Sequence, residues 1–182
     1  MSQSEERFVP DIVWEGLKSL LIEVDFDHIS VKKICQISGI HRATFYRYFP
    51  DVFELLNYGL KSELTTDLDR IFLSDGSFES FELFLFKLDT LKQHIRHLKG
   101  SKYFELILTI FWNVIHKQTV NNFDKDVLSK NKYIVHFYST GMLGLIELYF
   151  TDHSIKSDEL AKDMTTLYQQ ARQNFKTNLR QN

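Results

Sequence analysis

A chain of 182 residues, 43% hydrophobic and 25% charged, is long enough for one or two domains with a sizeable core. One cysteine excludes an internal disulfide and a cysteine-based metal cluster, and no apolar run reaches the ~18 residues of a membrane span. The formal charge of −2 provides no overall attraction to nucleic acid, and the polar, acidic start from Met1 to Pro10 has no signal-peptide character, so a cytoplasmic protein is expected.

Sixteen Phe and eight Tyr against seven Gly and two Pro predict helices around an aromatic interior. The first helix is predicted from about Pro10 to about Val24, with Val13, Leu17, Leu20, Leu21 and Val24 as its apolar stripe. Phe26 and Ile29 close a small three-helix head. Ser30 is an N-cap, because its hydroxyl accepts from a free N–H of the next turn. Val31 and Ile34 then share one helical face, with Cys35 and Ile37 on its margins. Cys35 reads as a small packing residue at a helix crossing. At Gly39 the chain turns sharply, and Ile40 plugs the turn. A second short helix opens at His41 and turns Phe45 and Phe49 inward. Pro50 stops it, and Asp51 with Glu54 forms a capping pair for the next helix.

The outward face of that second short helix carries His41, Arg42, Ala43, Thr44, Tyr46, Arg47 and Tyr48. Such groups suit phosphates and base edges: Arg forks onto guanine, the Thr methyl meets thymine, and Tyr donates to phosphate. Ser30 and Lys32 flank the same face from the preceding helix. From Ser30 to Pro50 there are four cations, Lys32, Lys33, Arg42 and Arg47, and no acid. A solvated helix face is the competing explanation for each residue alone.

The run Gly39 to Leu56, GIHRATFYRYFPDVFELL, resembles the DNA-binding signature of the TetR/AcrR family of transcriptional regulators. Ile29-Ser30-Val31 matches the way that family begins the helix before the turn, and the likeness covers roughly the first 60 residues. It departs from the pattern at Tyr48, where the family commonly has His, and at Val52, where it commonly has a phosphate-binding Lys. The resemblance implies an all-α fold of about nine helices, with a helix-turn-helix head at residues 1–50 and a helical regulatory and dimerisation domain at 51–182. It implies double-stranded DNA and a second copy of the chain as partners, a possible small-molecule effector, and no cofactor. Repression by a homodimer on a palindromic operator is the expected activity. A TetR-shaped coactivator or adaptor that works through protein partners is the alternative.

Beyond the head, a long helix is predicted to about Phe72 and is read as the only covalent lever between the domains. Ser74-Asp75-Gly76-Ser77 is a loop, and helices follow at about Phe78 to Leu98, Lys102 to Thr119, Lys132 to Phe150, and from Ser157 onward. The Lys102–Thr119 segment is apolar almost all round, which places it at the centre of a bundle. Candidate pocket residues are Tyr58, Phe86, Tyr103, Phe104, Phe111, Trp112, Asn113, His116 and Tyr138, against the alternative of a filled aromatic core. The resemblance makes the last two helices the dimer interface, through Gly141, Gly144, Leu145, Leu167 and Ala171. Packing of the two glycines within the chain is the competing reading. No Gly-rich phosphate loop, HExxH, GxSxG or CxxC motif indicates an enzyme. His94, His97 and His116 lack the carboxylate or thiolate partners of a metal site, so none is expected.

Overall fold

A computed structural model describes residues 8–95, 102–122 and 133–178. Among these residues the chain is all-α, with no strand. Its eight α-helices are α1 (Phe8–Glu23), α2 (Val31–Ser38), α3 (Arg42–Tyr48), α4 (Val52–Leu73), α5 (Phe78–Ile95), α6 (Lys102–Asn122), α7 (Ile134–Thr151) and α8 (Ser157–Asn178). A 3-10 turn, Phe26–His28, separates α1 from α2. The expected end of the fifth helix at Leu98, the break at 99–101 and the start of the eighth at Lys132 lie outside the described residues. So do the side chains of His94, His97, Lys176 and Arg180.

The chain divides into two compact units, residues 1–62 with 91–107, and residues 63–90 with 108–182. This corrects the expectation of a single lever: the backbone crosses between the units at 62/63, at 90/91 and at 107/108. Helix α4 gives its first half to one unit and its second half to the other.

In the first unit, Val13, Leu17, Leu20 and Leu21 of α1 meet Ile34 and Cys35 of α2, Phe45 of α3, and Leu55, Leu56 and Leu60 of α4 in one buried core. The helices come close where side chains are small. A Cβ added at Gly59 would lie 2.1 Å from Cδ2 of the buried Trp14 ring. Tyr58, next to it, donates to Asp11 Oδ1 at 2.9 Å. Burial and that carboxylate push its phenol up to about 12, so it remains a donor at neutral pH. Tyr103 also belongs to this unit: its hydroxyl donates to Asp27 Oδ1 at 2.7 Å, and its ring lies 4.7 Å from that of Phe26.

In the second unit, Phe81, Phe84, Leu85, Phe111, Ile115, Ile146, Tyr149 and Phe150 are buried together, and the rings of Phe111 and Phe150 are 5.9 Å apart. Tyr149 donates to Asp89 Oδ1 at 2.6 Å. Asp67, buried, is neutralised by Lys87 and by Arg70 at 3.0 Å. Helix α6 is not apolar all round. Glu105, Leu106, Thr109, Asn113 and Lys117 are exposed, and four of these recur every fourth residue as one solvated stripe.

Replacing Gly59 with Ala forces the new methyl into the Trp14 ring plane. It is expected to cost about 1–3 kcal/mol in urea unfolding, the usual penalty for overpacking a filled core; a stability equal to wild type would show that the two helices can separate freely there.

Candidate nucleic-acid interface

The face identified in the sequence is built by two short helices and the turn between them. Ser30 Oγ accepts from the Lys33 amide at 3.3 Å, which caps α2. Gly39 follows α2 with φ 65° and ψ 28°, in the left-handed region, and its N–H donates to the Cys35 carbonyl. The Ile40 amide donates to the same carbonyl at 3.1 Å, so both N–H groups of the turn are satisfied. Phe45 and Phe49 are buried, their rings 5.8 Å apart, and hold α3 on the core. Ile40 and Val31 are only half-buried, and Ile37 faces outward. Asp51 Oδ1 then accepts from the Glu54 amide at 2.8 Å and opens α4.

This packing turns His41, Arg42, Ala43, Tyr46 and Arg47 to the surface, with Thr44 and Tyr48 half-buried at its edges. Ser30, Lys32 and Lys33 are exposed on the preceding segment. The two arginines are not loose. Arg42 donates to the Tyr46 hydroxyl at 3.4 Å, and its guanidinium carbon lies 5.9 Å from the centre of that ring. Arg47 donates to the Tyr48 hydroxyl at 2.9 Å and lies 5.1 Å from its ring. The Tyr46 hydrogen bond raises the pKa of Arg42 further. Lys33 Nζ is turned back, donating to the His28 carbonyl at 3.3 Å. Burial raises the Cys35 pKa, which keeps a thiol beneath α3 in its neutral, packing form. Val52 is half-buried at the start of α4 and adds no charge to the face.

The candidate pocket residues are not gathered around one cavity. Tyr58, Tyr103 and Phe104 belong to the first unit, the two tyrosines on Asp11 and Asp27 and Phe104 buried. Phe111 is in the core of the second unit, and Phe86 points outward with 67% of its surface exposed. Asn113 is exposed on the polar stripe of α6. Trp112 stacks on His116 at 4.7 Å, with His136 edge-on at 5.9 Å. Of these candidates, Tyr138 alone lines a cavity found in the second unit. That cavity, of about 450 Å³, lies between the ends of α4 and α6 and the facing sides of α7 and α8. Gly141, Leu145, Leu167 and Ala171, assigned from the sequence to a dimer interface, line it; Gly144 does not. Among the described residues a Cβ at Gly141 or Gly144 would meet nothing within 4 Å, so neither glycine serves a close helix contact there. Leu68, Ile71, Met142, Met164, Tyr168 and Arg172 complete much of the wall and were missed. A glycine opposite small and flexible side chains was the available signal.

The architecture has a counterpart among solved structures, the dihydroxyacetone kinase operon activator DhaS. The TM-score is 0.60 at 17% sequence identity, over 88% of this chain and 93% of that one. The fold is TetR-like. No protein-family model matches the chain, and no curated protein matches it in sequence. In this fold α2 and α3 form the helix-turn-helix pair, and α3 carries the Arg–Tyr face. Among the described residues no helix is long and apolar enough to cross a membrane, and no group of three His, Cys, Asp or Glu is placed to hold a metal ion.

The left-handed turn gives a direct check. Gly39→Ala has open space for its methyl but the wrong backbone region, so it is expected to lower stability by about 1–2 kcal/mol in chemical denaturation. An unchanged midpoint would mean that the turn relaxes to negative φ.

Proposed function

We propose that this protein is a sequence-specific DNA-binding transcriptional regulator, a homodimer that occupies a near-palindromic operator and blocks transcription there. The observation that carries the reading is the α3 face: Arg42, Thr44, Tyr46 and Arg47 project from a capped, glycine-turned helix pair in a segment with no acidic residue. Arg42 and Arg47 are the groups assigned to guanine edges or phosphates; Tyr46 and Tyr48 hold them and add phosphate contacts of their own. His41 and Ser30, at the starts of the two helices, face phosphates, as does Lys32. Ala43 lets the groove wall approach closely. Because a two-fold dimer presents two such helices one helical turn of DNA apart, the operator should be a near-palindrome.

The dimer is assigned to α7 and α8. Supporting this are the open space over Gly144 and the exposure of Leu148 and Leu167 on the same two helices. Release by a small-molecule effector held in the second unit completes the reading. Such a ligand would act by shifting α4, which serves both units, and thereby the spacing of the two α3 helices. Catalysis forms no part of it.

One finding favours a second reading. DhaS, a structural counterpart, is an operon activator, and this chain has Val52 where the resembling family commonly has a phosphate-binding Lys. An activator or adaptor working through a protein partner would need less DNA affinity of its own.

Fluorescence anisotropy with the DNA upstream of the gene, beside a scrambled fragment, tests both readings at two salt concentrations. The native fragment is expected to bind more tightly, and Arg42→Ala to weaken it by about 1–3 kcal/mol. Equal, weak binding to both fragments, unchanged in Arg42→Ala, would remove Arg42 from a reading face and promote the adaptor. Light scattering should return twice the chain mass; a monomer would remove the palindromic operator from the reading.

A further inference from the structure

We propose that the outer face of α5 is a docking surface for a basic amphipathic helix of another protein. The inner face of α5 is already complete, with Phe81, Phe84, Leu85 and Leu88 buried. Two more large apolar side chains stand on the opposite side. Leu83 is 38% exposed and Phe86 67% exposed, and a spacing of three residues makes them neighbours on the helix surface. A surface helix ordinarily keeps that side polar. One exposed apolar side chain needs no explanation, but a leucine beside a phenylalanine forms an anchor of the kind that helix-binding interfaces use.

The two flanks of the face are fixed by polar contacts. Lys87 reaches to the buried Asp67 of α4 on one flank, and Asp89 accepts from Tyr149 of α7 at 2.6 Å on the other. Between these flanks Glu79, Glu82, Leu83, Phe86 and Thr90 are all exposed.

Charge selects the occupant. Glu79 and Glu82 precede the apolar pair, and neither forms an ion pair among the described residues. Glu79, in the first turn, suits the helix dipole; Glu82 lies beyond that turn and gains little from it. Lys87, the cation at the edge, is held by Asp67 and leaves the two acids unanswered. Nucleic acid is repelled by such a face. A second copy of this chain would bring the same two acids and the same committed lysine, adding repulsion and no new pair. A small apolar molecule would meet a convex helix surface without enclosure. A helix with Lys or Arg beside its apolar stripe fits: the stripe covers Leu83 and Phe86 while the cations meet Glu79 and Glu82. The surface goes beyond the DNA-binding reading and gives an activator or adaptor a place to hold its partner. Binding to it is measured without DNA, so the two readings fail separately.

The test is a fluorescence-anisotropy titration of the full chain into a labelled amphipathic peptide of leucine and lysine, about fourteen residues long. The same peptide with glutamate in place of lysine is the counter-probe, and thermal melts and light scattering are recorded on each variant. One saturable site per chain is expected, with the glutamate peptide at least about tenfold weaker. Phe86→Ser and Glu82→Lys should each weaken the lysine peptide by about tenfold or more. Both side chains are exposed, so both variants should melt as wild type does; Leu83→Ser replaces Phe86→Ser if the latter fails to fold. Ile12→Ser, which removes an exposed apolar side chain of the first unit, should bind as wild type. No saturable binding to wild type would overturn the proposal. So would equal binding of the two peptides, or undiminished binding by Phe86→Ser and Glu82→Lys. A halved mass in Phe86→Ser would also overturn it, with a second copy of the chain as the occupant.

Discussion

The contact between the Trp14 ring and Gly59 governs the first unit. A seven-residue helix such as α3 has little stability of its own, because nucleation costs more than so few hydrogen bonds return. It persists only on a platform. That platform is α1 and the first half of α4, drawn together because residue 59 offers no side chain and Trp14 fills the gap. Leu55, Leu56 and Leu60 then lie in the same core as Leu17 and Leu21, and Phe45 and Phe49 have something rigid to pack on. The orientation of Arg42 follows from a glycine seventeen residues downstream.

The arginine–tyrosine pairs bear on how such a face could work. At an exposed site a guanidinium over a ring contributes about 0.5–1 kcal/mol. A good bidentate contact to a base is worth about 1–3 kcal/mol. The tyrosine contacts are therefore weak enough to give way to a stronger partner and strong enough to narrow the rotamers sampled beforehand. They also hold two long cations near the surface of α3, where unrestrained arginines would carry about 2 kcal/mol of rotamer entropy each.

The helix-turn-helix was legible because its signals are local. Ser30 as a cap, Gly39 as a left-handed turn, Asp51 with Glu54 as a restart and Phe45 with Phe49 on one face all act within four residues of themselves. The cavity was not legible because it is made of absences. Gly141 and Ala171 leave room that no aromatic or polar side chain marks, and the aromatic residues thought to surround it are divided between two units. Counting apolar residues along α6 also misled: the positions of Glu105, Thr109, Asn113 and Lys117 fix its solvated side, whatever the composition of the rest. Long-range returns of the chain, such as 91–107 into the first unit, leave no mark on the sequence pattern at all.

That return has a consequence for modularity. Tyr103 covers the Phe26 ring and hydrogen-bonds Asp27, so the unit that carries α3 is finished by residues some 75 positions away in the chain. A fragment ending at Ser62 would leave that side of Phe26 to water and Asp27 without its phenol. The head is therefore not a portable cassette. Exchanging it between chains of this fold would require grafting the start of α6 as well, and variation at position 103 is constrained jointly with positions 26 and 27.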